Sequence, residues 1–164
     1  MTGIAAVGER LVAVGASTDD PGAATVQGLA WTMAPGAGAW STPTIVPGAP
    51  ALGQVFGFDG TAYAIDRTVA PDVWTSSDLS TWHETSFPGA GPRWLAVVPG
   101  PGGSWLAAAS SDGIFGLRAD GTWAYLAGAT DTIEAATSTP SGLLAIGVSA
   151  DGRGVVWQGP ATAP

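Results

Sequence analysis

Val73-Trp74-Thr75-Ser76-Ser77-Asp78-Leu79-Ser80-Thr81-Trp82 sets two tryptophans eight residues apart, with a polar, turn-forming segment between them. Outward from this stretch the pair returns in both directions. Trp31, Trp74, Phe115 and Trp157 follow one another at intervals of 43, 41 and 42 residues, and Trp40, Trp82 and Trp123 at intervals of 42 and 41. Two aromatic series in register at one period mark an internal repeat, and a period near 42 is that of a β-propeller blade.

Each repeat parses into strands. Second strands read RLVAVGAS (10–17), TAYAID (61–66), SWLAAAS (104–110) and GLLAIGVS (142–149). Each follows a glycine-containing turn, at Val7-Gly8, Asp59-Gly60, Gly102-Gly103 and Ser141-Gly142, which is a hairpin signal. First strands precede them at about 3–7, 52–57, 93–98 and 132–137. Third strands carry the Trp31 series, and fourth strands are expected to begin at Trp40, Trp82 and Trp123. Many segments are apolar on both sides, as strands buried between face-to-face blades must be. Helix-period apolar spacing is missing even from the longest run without Gly or Pro, 72–87. The chain is therefore read as all-β, a small four-bladed β-propeller in a single domain over 1–164, with blades at 1–47, 48–89, 90–129 and 130–160. The four sheets are expected to be equivalent about a pseudo-fourfold axis.

The last blade is expected to be incomplete. After Trp157 come only Gln158-Gly159-Pro160-Ala161-Thr162-Ala163-Pro164, and two prolines in seven residues make a poor fourth strand. Val155, Val156 and Trp157 should then form an exposed apolar edge, an aggregation liability that natural proteins cover. A protein partner or copies of the chain itself are expected to cover it.

Composition bounds the function. The 164 residues carry 13 Asp+Glu against 5 Lys+Arg, a net charge of -8, which excludes nucleic acid as a partner because phosphate contacts need a basic surface. Cys is absent, so disulfide scaffolds, cysteine nucleophiles and thiolate metal sites are excluded. The N-terminal segment has no basic n-region and Glu9-Arg10 interrupts its apolar run, so no signal peptide is read. No stretch reaches the length of a membrane span. All five basic residues are arginines, at 10, 67, 93, 118 and 153, and neither Lys nor Asn occurs, a composition that suggests a GC-rich genome.

The segment from Val73 to Trp82 resembles the Asp-box hairpin of sialidase-like propellers, whose pattern is Ser-x-Asp-x-Gly-x-Thr-Trp, and the looser repeats of bacterial and phage propellers. It departs in two places: Asp78 precedes Trp82 by four residues where the Asp box has five, and Leu79 stands where Gly is usual. Ala119-Asp120-Gly121-Thr122-Trp123 is a shorter echo, and Ala34–Trp40 lacks the Asp. The resemblance implies that the Asp organises a turn by accepting from nearby backbone N–H groups, a folding role.

Catalytic constellations are sparse. A sialidase would need an arginine cluster, a Tyr nucleophile with a Glu partner and an acid/base residue, and neither Tyr63 nor Tyr125 sits in such a motif. His83 is the sole histidine, so no His-rich metal site exists, and it falls on an outer strand where a solvated role is expected. No cofactor or metal is expected. The loops between second and third strands all carry acid, at Asp19-Asp20, Asp72, Asp112 and Asp151, with Asp131 on a connector to the same side. Turn chemistry explains them; an acidic rim for a cation or basic partner is the functional counterpart. The first of these loops is the longest, which makes Asp19 and Asp20 candidate ligand contacts. Trp94 and Trp105 fall outside both aromatic series and are candidates for stacking on sugar faces.

These readings favour a non-catalytic interaction or structural module within a larger assembly, a virion tail or capsid component among the options. A carbohydrate-binding propeller, which would take a glycan through its blades, is the alternative, and a glycosidase ranks third. On this reading the chain is not an enzyme.

Overall fold

A computed structural model describes residues 1–17, 26–68, 71–85, 87–88, 90–92, 94–98, 104–118, 120–127 and 132–159. Fifteen strands are found among them. β1 (Gly3–Val7), β2 (Arg10–Ser17), β3 (Gln27–Met33) and β4 (Thr44–Val46) form sheet A; β5 (Leu52–Phe58), β6 (Thr61–Asp66), β7 (Val73–Ser76) and β8 (His83–Thr85) form sheet B. β9 (Trp94–Val98), β10 (Trp105–Ser110), β11 (Gly113–Leu117) and β12 (Trp123–Ala127) form sheet C; β13 (Thr132–Thr139), β14 (Gly142–Val148) and β15 (Gly154–Gln158) form sheet D. Each sheet is an antiparallel meander in chain order. The protein is thus all-β, with four antiparallel sheets, consistent with a propeller-like fold, and no closed sheet among the described residues.

Register explains the 42-residue repeat. Trp31 lies opposite Ala13, Trp74 opposite Ala64, Phe115 opposite Ala108 and Trp157 opposite Ala145. The four aromatics are therefore equivalent, as the spacing required, and each faces an alanine of the second strand that has no exposed surface. A small residue across from a large one lets the sheet pack flat against a neighbour at interior density.

The fourth strands correct the sequence reading. β4 begins at Thr44 rather than Trp40, and β8 at His83 rather than Trp82; only β12 begins at its tryptophan. Pro43 and Pro47 bracket β4 and cannot donate to a ladder, so three residues pair and no more. His83 is exposed on β8, the outer edge of sheet B.

The chain divides into two compact units, Met1–Ser86 and Phe87–Pro164. In the first, Val12, Val14, Ala30 and Val46 of sheet A share one core with Val55, Ala62, Ala64 and Trp74 of sheet B. β1 and β5 run closely together there, and a Cβ on Gly3 would lie 3.1 Å from the backbone of Gln54 and Val55. In the second unit, Ala107, Ala109 and Ile114 of sheet C share a core with Ile133, Leu143 and Ala145 of sheet D. Each core is one sheet face laid on the next, with glycine and alanine where backbones approach.

Candidate functional site

Each second strand ends in a side chain able to tie down the loop that follows: Ser17, Asp66, Ser110 and Ser149, the last just beyond β14. Ser110 Oγ accepts from the Asp112 amide at 3.0 Å, and Asp112 Oδ2 in turn accepts from the Ala90 amide at 2.7 Å. Ser149 Oγ accepts from the Arg153 amide at 3.1 Å and donates to Asp151, whose carboxylate pairs with the exposed Arg153 guanidinium at 3.1 Å. Asp112 and Asp151 are thus bound into loop architecture, in line with turn chemistry.

The β6–β7 loop differs. Asp66 is 4% exposed, a buried carboxylate at the end of a strand. Its Oδ1 accepts from the Thr68 amide at 2.9 Å and the Thr68 hydroxyl at 2.7 Å, and its Oδ2 accepts from the Asp72 amide at 3.1 Å. Arg67 between them donates its amide to Ala51 O at 2.8 Å, and its side-chain stem lies across Gly53, where a Cβ would come within 2.6 Å of Arg67 Cγ. The loop therefore locks onto the start of sheet B, and one buried carboxylate sets the position of a second acid. Asp72 is exposed; what desolvation it has, and then the charge of Asp66, push its carboxyl above its ordinary value.

The Asp78 hairpin is a folding device. Asp78 Oδ1 accepts from the Thr81 amide at 2.7 Å, the Ser80 amide at 2.8 Å and the Ser76 hydroxyl at 3.1 Å; Ser76 Oγ accepts from the Leu79 amide at 2.9 Å. The Thr81 amide first, then that of Ser80, holds this exposed carboxyl well below the usual carboxylate range. Asp120 repeats the device on a smaller scale, accepting from the Thr122 amide and hydroxyl, with Gly121 at φ +82°.

The other sequence candidates fall in different places. Asp19, Asp20 and Asp131 lie outside the described residues. Trp94 opens β9, where its backbone faces Ala109. Trp105 is 2% exposed in the core shared by sheets C and D, because β10 is buried along its whole length. Val155 and Trp157 are half-buried, Trp157 against the same core, while Val156 points outward. Sequence reasoning missed Asp66; its alignment with Ser17, Ser110 and Ser149 was the signal that could have found it. It also missed an aromatic group on sheet C. Phe87 stands edge-on to Phe115 and Trp123 at ring-centroid distances of 4.9 and 5.1 Å, and Phe115 edge-on to Tyr125 at 5.6 Å. Among the described residues, no three His, Cys, Asp or Glu gather as a metal site, and no helix is long and apolar enough to cross a membrane.

No family model and no curated protein matches the chain. Among solved structures it is similar to a member of the GH130 family of mannoside phosphorylases, described as containing glycoside hydrolases that target β-1,2 mannosidic linkages in Candida mannan. That likeness has 14% identity and a TM-score of 0.48, over 99% of this chain and 68% of the other. It is also similar to a glycosyl hydrolase from Bacteroides ovatus, at 15% identity and a TM-score of 0.45, over 90% of this chain and 59% of the other. Both are described as carbohydrate-processing enzymes, against the expectations of a non-catalytic assembly module and of a chain that is not an enzyme.

Proposed function

We propose that this chain contributes blades to a carbohydrate-processing propeller in which Asp72, positioned by Asp66, donates its proton to the glycosidic oxygen as the bond from that oxygen to the anomeric carbon breaks, the leaving group departs as the alcohol, and water or inorganic phosphate takes the glycosyl group. The observation that supports the reading is the coupling of the two acids on one loop. Asp66 is buried, fixed by three hydrogen bonds, and grips the Asp72 backbone amide. A general acid must hold its proton until substrate arrives, so a raised carboxyl is what the chemistry asks of the donor. Asp66 touches no substrate in this scheme; it sets the loop and supplies the charge.

Glycosides, the substrate class named for the two solved structures, are the compounds to try first. Purified chain is incubated with aryl α- and β-glycosides and with β-1,2-linked mannosides, with and without inorganic phosphate. Turnover of at least one compound is expected, with a loss of roughly 100-fold or more in Asp72→Asn, as for removal of a general acid. Absence of turnover across the series, or full activity in Asp72→Asn, would overturn the reading.

A second reading, glycan capture without turnover, draws on Tyr125. Its ring is 60% exposed and braced by Phe115, an aromatic surface of the kind on which sugar C–H faces stack. Binding to a glycan array that Tyr125→Ala abolishes would favour it.

A further inference from the structure

The sheet-on-sheet contact that this chain makes twice, A on B and C on D, has a fixed polarity. The aromatic of each third strand lies on the face turned to the preceding sheet: Trp74 belongs to the core shared with sheet A, and Trp157 packs on the core shared with sheet C. The opposite face, turned to the following sheet, carries the residues flanking the alanine and the residue just before the aromatic. In sheet A these are Val12, Val14 and Ala30, and in sheet C Ala107, Ala109 and Ile114, all at most 5% exposed. In sheet D the same positions are Leu144, Ile146 and Val156.

There the burial stops. Ile146 is 48% exposed and Val156 68%, although they lie directly opposite each other across β14 and β15. Val148, two residues along on the same face, and Ala135, the partner of Ile146 on β13, are exposed as well. An aliphatic row at positions that a following sheet buries elsewhere in the same chain is a packing face without its cover. Sheet A shows the reciprocal lack. Trp31 lies on its leading face, in one cross-strand row with Ala13 and Ile4; Ile4 is 58% exposed, and Ile45 on the same face 53%.

We infer that the trailing face of sheet D is a docking surface for the leading face of sheet A on a second copy of this chain. The contact continues, between copies, the packing already made within each unit. Ile146, Val156 and Leu144 take the part of Val14, Ala30 and Val12, and Trp31 of the second copy takes the part of Trp74. Different patches meet, so the interface is heterologous and repeats head to tail. Both faces are uncharged along these rows, which suits a chain of net charge -8: apolar contact draws the copies together without opposing acid against acid. The inference does not depend on the function proposed for the Asp66–Asp72 loop.

Light scattering after size exclusion tests this at about 100 µM, a concentration at which a micromolar Kd keeps copies paired. The wild-type chain is expected at twice its 16.2 kDa or a higher multiple. Val156→Asp and Ile45→Asp, both at exposed positions and checked by circular dichroism and melting, should each run as monomers. Mixed one to one, they should form a dimer, because one variant keeps an intact sheet D and the other an intact sheet A. A monomeric wild type would overturn the inference, whether the faces then stay bare or are covered by other segments. So would variants that remain associated, or a mixture that stays monomeric.

Discussion

The carbonyl oxygen of Ala6 occupies the place that a Cβ on Gly57 would need. The first strands of sheets A and B meet backbone to backbone at that point, and glycine is there for proximity, since its φ lies outside the left-handed region. Gly57→Ala should destabilise the chain by about 3 kcal/mol, at the upper end for overpacking because the obstacle is backbone and cannot rotate away. Denaturant unfolding measures this, with Gly38→Ala, where nothing lies within 4 Å, as the neutral control. Equal stability of the two variants would mean that β1 and β5 do not meet this way.

Trp82 closes the Asp78 hairpin and is buried in the first unit's core. Trp82→Ala should cost about 3–5 kcal/mol, as large aromatic deletions do. Among the described residues its indole N–H meets no acceptor, so Trp82→Phe loses volume but no hydrogen bond and should cost clearly less. Thermal melts of the two variants give the comparison, and equal losses would assign the indole nitrogen a partner.

Leu79 holds φ +64° where an Asp box has glycine, and two effects compete there. Relief of the left-handed strain by Leu79→Gly returns about 1–2 kcal/mol. Removing a buried leucine loses about 2–5 kcal/mol in transfer and cavity terms. Leu79 is buried beside Trp82 in the same core, so the loss wins and the variant should be less stable by about 1–2 kcal/mol. A glycine variant more stable than wild type would show that strain governs the turn.

The Asp78 carboxyl is held low by the Thr81 and Ser80 amides. A folded-state value below the unfolded one adds stability that is complete above the unfolded carboxyl range and lost as pH falls towards the folded value. Wild type should therefore lose melting temperature on acidification below about pH 4, and Asp78→Ala should start lower at pH 7 and lose less over the same interval. Parallel pH profiles would remove Asp78 from the acid sensitivity.

Much of the fold was legible because the repeat writes itself in aromatics. Trp31, Trp74, Phe115 and Trp157 are large, rare and each opposite an alanine, so their period survives the loss of other likeness. The fourth strands were less legible, since Trp40 and Trp82 precede β4 and β8 and do not open them, and Trp82 packs in the core. Trp105 looked spare because it falls outside both series, yet a strand buried on both sides needs apolar residues that no period marks. Asp66 was only half visible: its place at the end of a second strand aligns it with Ser17 and Ser110, but its burial and its bond to the Asp72 backbone leave no mark in the sequence. The face of sheet D was legible in part: Val156 stood out as exposed on the last strand, but Ile146 across from it reads like any strand residue until its equivalent Val14 is seen buried.

The pH dependence of glycoside turnover tests the central claim most directly. If Asp72 is the proton donor, the wild-type rate falls as pH rises through the raised carboxyl value, because the donor is then ionised. Asp72→Asn, which keeps the backbone amide that Asp66 binds, should melt like wild type and show a low rate without that alkaline limb. An alkaline limb preserved in Asp72→Asn, or a wild-type chain that turns over no glycoside at any pH, would contradict the account.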